Sequence, residues 1–257
     1  MKLRFTILGC GSSFGVPRID GFFGNCNPNN KRNYRTRCSV LISSKNHNIL
    51  IDTSPDIKKQ FIDNSIKNID KVFYTHMHAD QTHGINELRV FYLKNKKQIP
   101  IYADILTSKY LKKSFSYCFQ GTETYPAILK INQLKKKYTF NNKGQKISIR
   151  SVKVNHGSIK SNAFIINDTC AYAPDVNQIF LKDYKYFKNL KFLVIDCLRY
   201  KPHPTHFNFD DVINFIDVVK PKYSILTNLN NEIDYKKIKK KLPKNITPAF
   251  DGMNFLI

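Results

Sequence analysis

Residues 72–89 read VFYTHMHADQTHGINELR, and three of the chain's seven histidines, His76, His78 and His83, fall within eight positions of that stretch. His76 and His78 stand two apart at the end of a short apolar run. Side chains two apart on an extended segment leave the same face, so both imidazoles can reach one cation. Asp80 continues the alternation and adds a carboxylate. Imidazole with carboxylate is a donor set for zinc, manganese or iron. A loop carrying unrelated surface histidines would not explain an apolar strand ending in His-x-His-x-Asp.

Such a site needs further ligands, and few residues qualify. His156 ends the run SVKVNH and precedes Gly157, and Asp175 ends CAYAPD. Each is a polar residue at the tip of an apolar strand. Alone, either reads as a loop cap. Together with His76 and His78 they complete a set of three histidines and one aspartate. On the substrate side, guanidinium matches a phosphate edge bidentately, so Arg89 and Arg199 are candidate phosphate clamps, with surface ion pairs as the alternative. Ser12 and Ser13 occupy a Gly-rich turn after the first strand, where backbone N–H groups could line a site. His203 and His206 lie in KPHPTHF, after the strand FLVIDCL. His203 reads equally well as a loop histidine beside a proline turn.

The elements that must position these residues alternate along the whole chain. KLRFTILG, CSVLISS, HNILIDTS, KVFYTH and IPIYAD read as strands. So do AILKINQL, KISIRSVKVNH, NAFIINDTCAYAPD, KFLVIDCL and YSILTNL. Helical spacing marks SPDIKKQFIDNSI through Ile57, Phe61 and Ile66, and also LTSKYLKKSFSYCF, NQIFLKDYKYFKN, FDDVINFIDVVK and DYKKIKKKL. The long Gly/Asn/Pro-rich segment from Cys10 to Arg37 is a loop, and loops of that length are usually functional. Without repeats, linkers or a composition break, residues 1–257 are expected to form a single domain. Many strands with interspersed surface helices predict two sheets between helix layers.

Composition bounds the function. The chain has 257 residues, 42% of them hydrophobic and 13% aromatic, enough for a full core. No apolar run approaches the ~20 residues of a membrane helix. The apolar stretch before Cys10 is too short for a secretion signal, so a cytoplasmic protein is expected. The six cysteines are scattered, without a Cys-x-x-Cys pair, and read as buried small hydrophobes. Lys and Arg number 42 against 19 Asp and Glu, a formal charge of +23. That favours a polyanionic or phosphorylated partner, although a chain rich in Lys, Asn and Ile throughout also fits simple compositional bias.

The order YTHMHAD, NHG, YAPDV resembles the successive motifs of the metallo-β-lactamase superfamily. LGCGSSFGVPRIDG, HADQTHGINELR, DCLRYKPHPTHFNFDDV and PAFDGM are similar to its phosphodiesterase branch, which includes the phosphoribosyl cyclic phosphate phosphodiesterase of phosphonate breakdown. The tRNA 3′-processing endonuclease is a relative. The resemblance covers essentially the whole chain and implies an α/β fold, a four-layered αββα sandwich with metals at one sheet edge. It implies that His76, His78 and His156 hold a first metal, and that Asp175 bridges to a second, which Asp80 also binds. At two second-metal positions the family has histidine where this chain has Gln81 and Asn228. An amide oxygen is a poor transition-metal ligand beside imidazole. Both departures fall on one sub-site, so one divalent metal (zinc, manganese or iron) is expected, with a weakened or missing second. His83 matches the branch's own HTHG pattern and is not expected to substitute.

The resemblance also makes His206 an active-site histidine near the scissile phosphate, and Asp80 a base if no second metal claims it. The branch's better-known member carries a cysteine-rich zinc loop; Cys26 stands alone here, and no structural zinc is expected. The activity implied is metal-assisted hydrolysis of a small cyclic or nucleotide-like phosphodiester, without a membrane partner, and a homodimer is admissible. An RNA-processing endonuclease is the second enzyme reading, favoured by charge but lacking a recognisable arm insertion. A degenerate, non-catalytic metal- or nucleotide-binding protein is the third.

Overall fold

The structure, a computed structural model, describes residues 3–257. Two seven-stranded sheets carry the molecule. The first runs in the order β14 (Asn254–Leu256), β1 (Arg4–Gly9), β2 (Ser39–Ser43), β3 (Asn48–Ile51), β4 (Lys71–Phe73), β5 (Ile99–Ala103), β6 (Leu129–Gln133). The second runs β13 (Ile246–Pro248), β12 (Tyr223–Thr227), β11 (Phe192–Asp196), β10 (Cys170–Ala173), β9 (Ile159–Ile166), β8 (Gln145–His156), β7 (Lys137–Asn142).

The strands are apolar on both faces because both faces are covered. In each strand, alternate residues go to different layers. Ile7, Val40, Ile42, Ile49, Ile51 and Phe73 of the first sheet meet Ile149, Phe164, Ile166, Tyr172, Val194 and Ile225 of the second, forming the core between the sheets. Their neighbours Leu8, Leu41, Leu50 and Val72 face outward, against α1 (Ile57–Asp63), α3 (Arg89–Asn95), α4 (Ile105–Ser114) and α5 (Ser116–Phe119). Ile165, Ala171, Leu193, Ile195 and Leu226 pack outward against α6 (Phe209–Val219) and α7 (Tyr235–Lys241). The result is the αββα sandwich expected from the sequence. Phe73 sits at the centre of the inner layer, ringed by Tyr102, Tyr138, Phe140 and Phe164 with centroids 4.6–6.1 Å away. Truncating it to Ala would cost about 3–5 kcal/mol.

Three local expectations change. NAFIINDTCAYAPD is two antiparallel strands, β9 and β10, joined by a turn in which Asn167 (φ 52°) and Asp168 (φ 49°) are left-handed. Asn and Asp tolerate that conformation, which suits a tight hairpin. LTSKYLKKSFSYCF breaks at Phe115 into α4 and α5, since Phe115 leaves the helical region at φ −129°. NQIFLKDYKYFKN coils only over Leu181–Tyr186, as 3₁₀ helix. The 10–37 segment is loop apart from a 3₁₀ turn at Lys31–Asn33. It is anchored by Arg35, which is 2% exposed and donates to the backbone oxygens of Ile233 (2.7 Å) and Asn230 (3.0 Å).

Candidate metal centre

β4 runs parallel to both its neighbours and stops at Phe73, so its continuation through Thr75, His76 and His78 emerges at one end of the first sheet. The short helix α2 (Ala79–Thr82) follows and turns Asp80 and Gln81 toward the same place. From the second sheet, the tips of β8, β10, β11 and β12 deliver His156, Asp175, Asp196 and Asn228. His206 arrives on the loop between β11 and α6. Gly157 makes the β8 turn possible: its φ is +61°, and a Cβ there would come 2.4 Å from Thr205 Cγ2. That accounts for the Asn-His-Gly sequence.

His76 Nε2 lies 2.8 Å and His156 Nε2 lies 3.3 Å from His78 Nδ1. What stands behind each ring fixes which nitrogen is free. His156 Nδ1 is 2.7 Å from the Thr205 carbonyl, which can only accept, so Nδ1 carries the proton and Nε2 the lone pair. The Thr75 hydroxyl donates to Asp52 (2.9 Å), while the Thr75 backbone N–H donates to the other carboxylate oxygen (2.8 Å). That leaves Thr75 Oγ1 to accept from His76 Nδ1 at 3.0 Å, and frees His76 Nε2. Two lone-pair nitrogens thus converge on a third ring nitrogen, which has at most one proton to offer. Burial pushes His76 well below the ordinary imidazole range and lowers His78; burial, then neighbouring His206, brings His156 down to about 4. Three neutral imidazoles at this spacing suit a cation: tetrahedral ligands at 2.0–2.1 Å would stand about 3.3 Å apart. The donor set fits a divalent transition metal, with Asp52, Thr75 and Thr205 as the outer partners that orient its ligands.

The adjoining ground is organised differently. Asp175 is 2% exposed and accepts from Gln81 Nε2 (3.1 Å) and from Asn228 Nδ2 (3.3 Å). The Asn228 amide nitrogen is fixed in this direction because it also donates to the Pro174 carbonyl at 2.9 Å. Gln81 Oε1 is buried with no partner among the described residues. Reversing that amide would aim its oxygen at the carboxylate, so both amides offer N–H to Asp175 rather than an oxygen to a cation. Burial raises Asp175 and Asp80 above the usual carboxylate range, the more so for Asp175. His156, Asp175 and His206 each present a ligand atom within 4.8 Å of the others.

His206 Nδ1 donates to Asp196 Oδ2 at 2.6 Å, leaving Nε2 free, and its ring lies 4.7 Å from that of His156. Burial works against charge on His206, but Asp196, Asp175 and Asp80 outweigh it and lift the imidazole to about 9. Asp196 was not singled out by sequence reasoning; its signal was a carboxylate ending an otherwise apolar strand in FLVID.

A cavity of about 520 Å³ opens over the cluster. His78, His156, Asp80, Asp175, His206 and Asn228 line it. Ser12, Ser13, Arg199 and His203 line it as well. The Arg199 guanidinium is engaged on its own loop, donating to the carbonyls of Lys201 (3.2 Å) and Pro202 (2.7 Å). Arg89 requires a correction. It opens α3 on the surface and lies over the Tyr125 ring, 4.7 Å from its centroid, outside the cavity lining. The cation missed in its place is Arg18, on the long loop, held by Asp20 and by the Phe22 ring (5.0 Å). His83 bonds the Tyr110 hydroxyl at 2.8 Å and takes no part in the cluster. All six cysteines are buried and unpaired among the described residues.

Residues 47–227 match the family model described as a β-lactamase superfamily domain. The chain belongs to the β-lactamase superfamily. Within that domain lies the trihistidine cluster, a candidate site for a divalent metal. The structure of a new diphosphatase from the PhnP family superposes with a TM-score of 0.89 and is 28% identical, over 100% of this chain and 98% of that one. A human short-form tRNase Z superposes with a TM-score of 0.68 at 16% identity, covering 98% of each chain, a likeness of fold. An octanoyltransferase of Porphyromonas gingivalis is 27% identical over 260 aligned positions. Those positions take in 99% of this chain and 52% of that protein, so the chain spans about half the length of this curated relative. Among the described residues, no helix is long and apolar enough to cross a membrane.

Proposed function

We propose that the chain is a metal-dependent phosphodiesterase that hydrolyses a small phosphate carrying two substituents, such as a cyclic or nucleotide-like phosphodiester. The observation that carries this reading is His206, oriented by Asp196 beside the trihistidine cluster in a cavity that also holds Arg18 and Arg199. One cation on His76, His78 and His156 would polarise a phosphoryl oxygen and lower the pKa of a water. His206 Nε2 then holds or delivers a proton at the leaving oxygen, and Asp196 fixes the ring for that task. Asp80, in the same cavity lining, would take a proton from the attacking water. The diphosphatase neighbour supports a phosphorus centre, since its linkage also puts two substituents on phosphorus. The octanoyltransferase name belongs to a protein about twice as long, and a cavity bordered by two arginines does not suit an octanoyl chain, so acyl transfer is not carried over.

The test is turnover by the full chain, with added zinc, manganese or iron(II), of bis(p-nitrophenyl) phosphate and of a 2′,3′-cyclic nucleotide. Hydrolysis of either, without activity on β-lactams or thioesters, is expected. No hydrolysis with any metal, in protein that binds one ion, would transfer the assignment to a binding protein. The amides on Asp175 are the observation that keeps this second reading open.

A further inference from the structure

We infer that Phe14 forms the floor of a second subsite that takes the aromatic base of a nucleotide whose phosphate lies in the first cavity. The inference rests on the phosphodiesterase reading for its reacting end only. Phe14 is 74% exposed, and Ile19 and Tyr34 in the same cavity lining are exposed as well, so Phe14 is part of an apolar patch and not a lone exposed ring. It lines the catalytic cavity and also a neighbouring one of about 920 Å³, and Gly15 is shared between the two in the same way. The two cavities therefore adjoin at this pair of residues.

Their chemistry differs in a way that matches the two ends of a nucleotide. The first cavity has the imidazole cluster and the arginines. In the second, most charges are already answered: Arg37 makes two hydrogen bonds to Asp56 (2.7 and 2.6 Å), and Lys59 bonds Asp63 at 2.6 Å, while the exposed Lys31 is the cation left over. Beside Phe14 its walls carry an apolar and aromatic stretch, Val16, Pro17 and Tyr34, with Ile19 fully exposed. A flat, uncharged heterocycle fits that apolar stretch. Arg35 pins the loop that carries these residues to the backbone of Asn230 and Ile233, so the platform is held by a buried anchor.

The probes are AMP and ribose 5-phosphate, which share a sugar phosphate and differ in the base. Binding is measured by calorimetry on the full chain with metal added, so turnover is not needed. Phe14→Ala should weaken AMP about tenfold, the usual scale of one base–aromatic stack, and leave ribose 5-phosphate within about twofold. Phe14→Trp should restore AMP binding. Equal losses for both ligands, or no loss for AMP, would overturn the inference. A shifted monomer–dimer balance in Phe14→Ala with AMP affinity unchanged would do so too, assigning the patch to contact between copies. Base-dependent binding without hydrolysis would sink the phosphodiesterase reading and leave this subsite standing; hydrolysis with Phe14-independent binding would do the reverse.

Discussion

The ground around His76, His78 and His156 and the ground around Asp175 touch through His156, yet they are built on opposite plans. On the first, two of the three imidazoles have a partner behind them, and their free nitrogens face one point. On the second, two amides turn their N–H groups onto the carboxylate, occupying with neutral donors the face a second cation would need. The hydrogen bonds of the first region orient lone pairs toward one point; those of the second satisfy a buried carboxyl group. Two changes of residue type, at Gln81 and Asn228, are enough to separate the plans. If the chain binds one ion rather than two, the polarity of the hydrogen bonds around Asp175 is the feature that would explain it.

The sharpest break of the comparison is His76→Ala. It should abolish tight metal binding, measured by elemental analysis after dialysis, and lower phosphodiesterase turnover on the order of a thousandfold or more. Retention of a full equivalent of metal would mean that Asp175 anchors the ion and that the two regions have been assigned the wrong way round. His206→Ala comes next, with turnover falling about a hundredfold or more and metal content unchanged. If metal and activity fall together, His206 is a ligand and the second region is more complete than its amides suggest.

Thr75→Val tests the orienting layer alone. Losing the hydroxyl between Asp52 and His76 should weaken metal affinity about ten- to a hundredfold, read by competition with a chelator, with little change in fold by circular dichroism. An unchanged affinity would deny the partner behind His76 any part in the difference between regions. The smallest effect is expected from Gln81→His combined with Asn228→His. Elemental analysis should move from one toward two ions per chain, and turnover should rise severalfold, with less from either single change. If the double variant folds and neither quantity moves, hydrogen-bond polarity around Asp175 does not set the stoichiometry.

Much of this was legible in the sequence because it is periodic or punctuated. Strands such as NILI and FLVID are apolar at successive positions only when both faces are covered, which points to a sandwich. His-x-His-x-Asp and His-Gly fall at strand ends, where the ligands indeed converge. The clamp assigned to Arg89 failed because guanidinium chemistry is identical on a helix start and in a cavity, and sequence distance from the histidines does not report direction. Arg18 and Phe14 were passed over for the converse reason: a 28-residue loop has no period, and its path depends on Arg35 reaching the backbone near Ile233 from 198 residues away. Asp196 was hidden within an apolar strand, and its role exists only once His206 folds back 2.6 Å from it.

The strand β14 has a consequence for how the molecule is made. It completes the edge of the first sheet, pairing antiparallel with β1, and the backbones of Leu3 and Ile257 bond each other reciprocally at 3.1 and 2.9 Å. During vectorial synthesis β1 emerges before the other strands of the two sheets, and β14 after all of them. The open flank of the first sheet must wait through translation of all the intervening chain, while β2 to β6 can already assemble. Such a late, long-range closure slows folding and leaves an unpaired strand edge exposed on the ribosome, a natural ligand for a chaperone. Because Leu3 and Ile257 lie side by side, a short linker could join these two positions and residues 3–257 could be opened instead in a surface turn such as Lys143–Gly144, giving a permuted domain whose first sheet closes early.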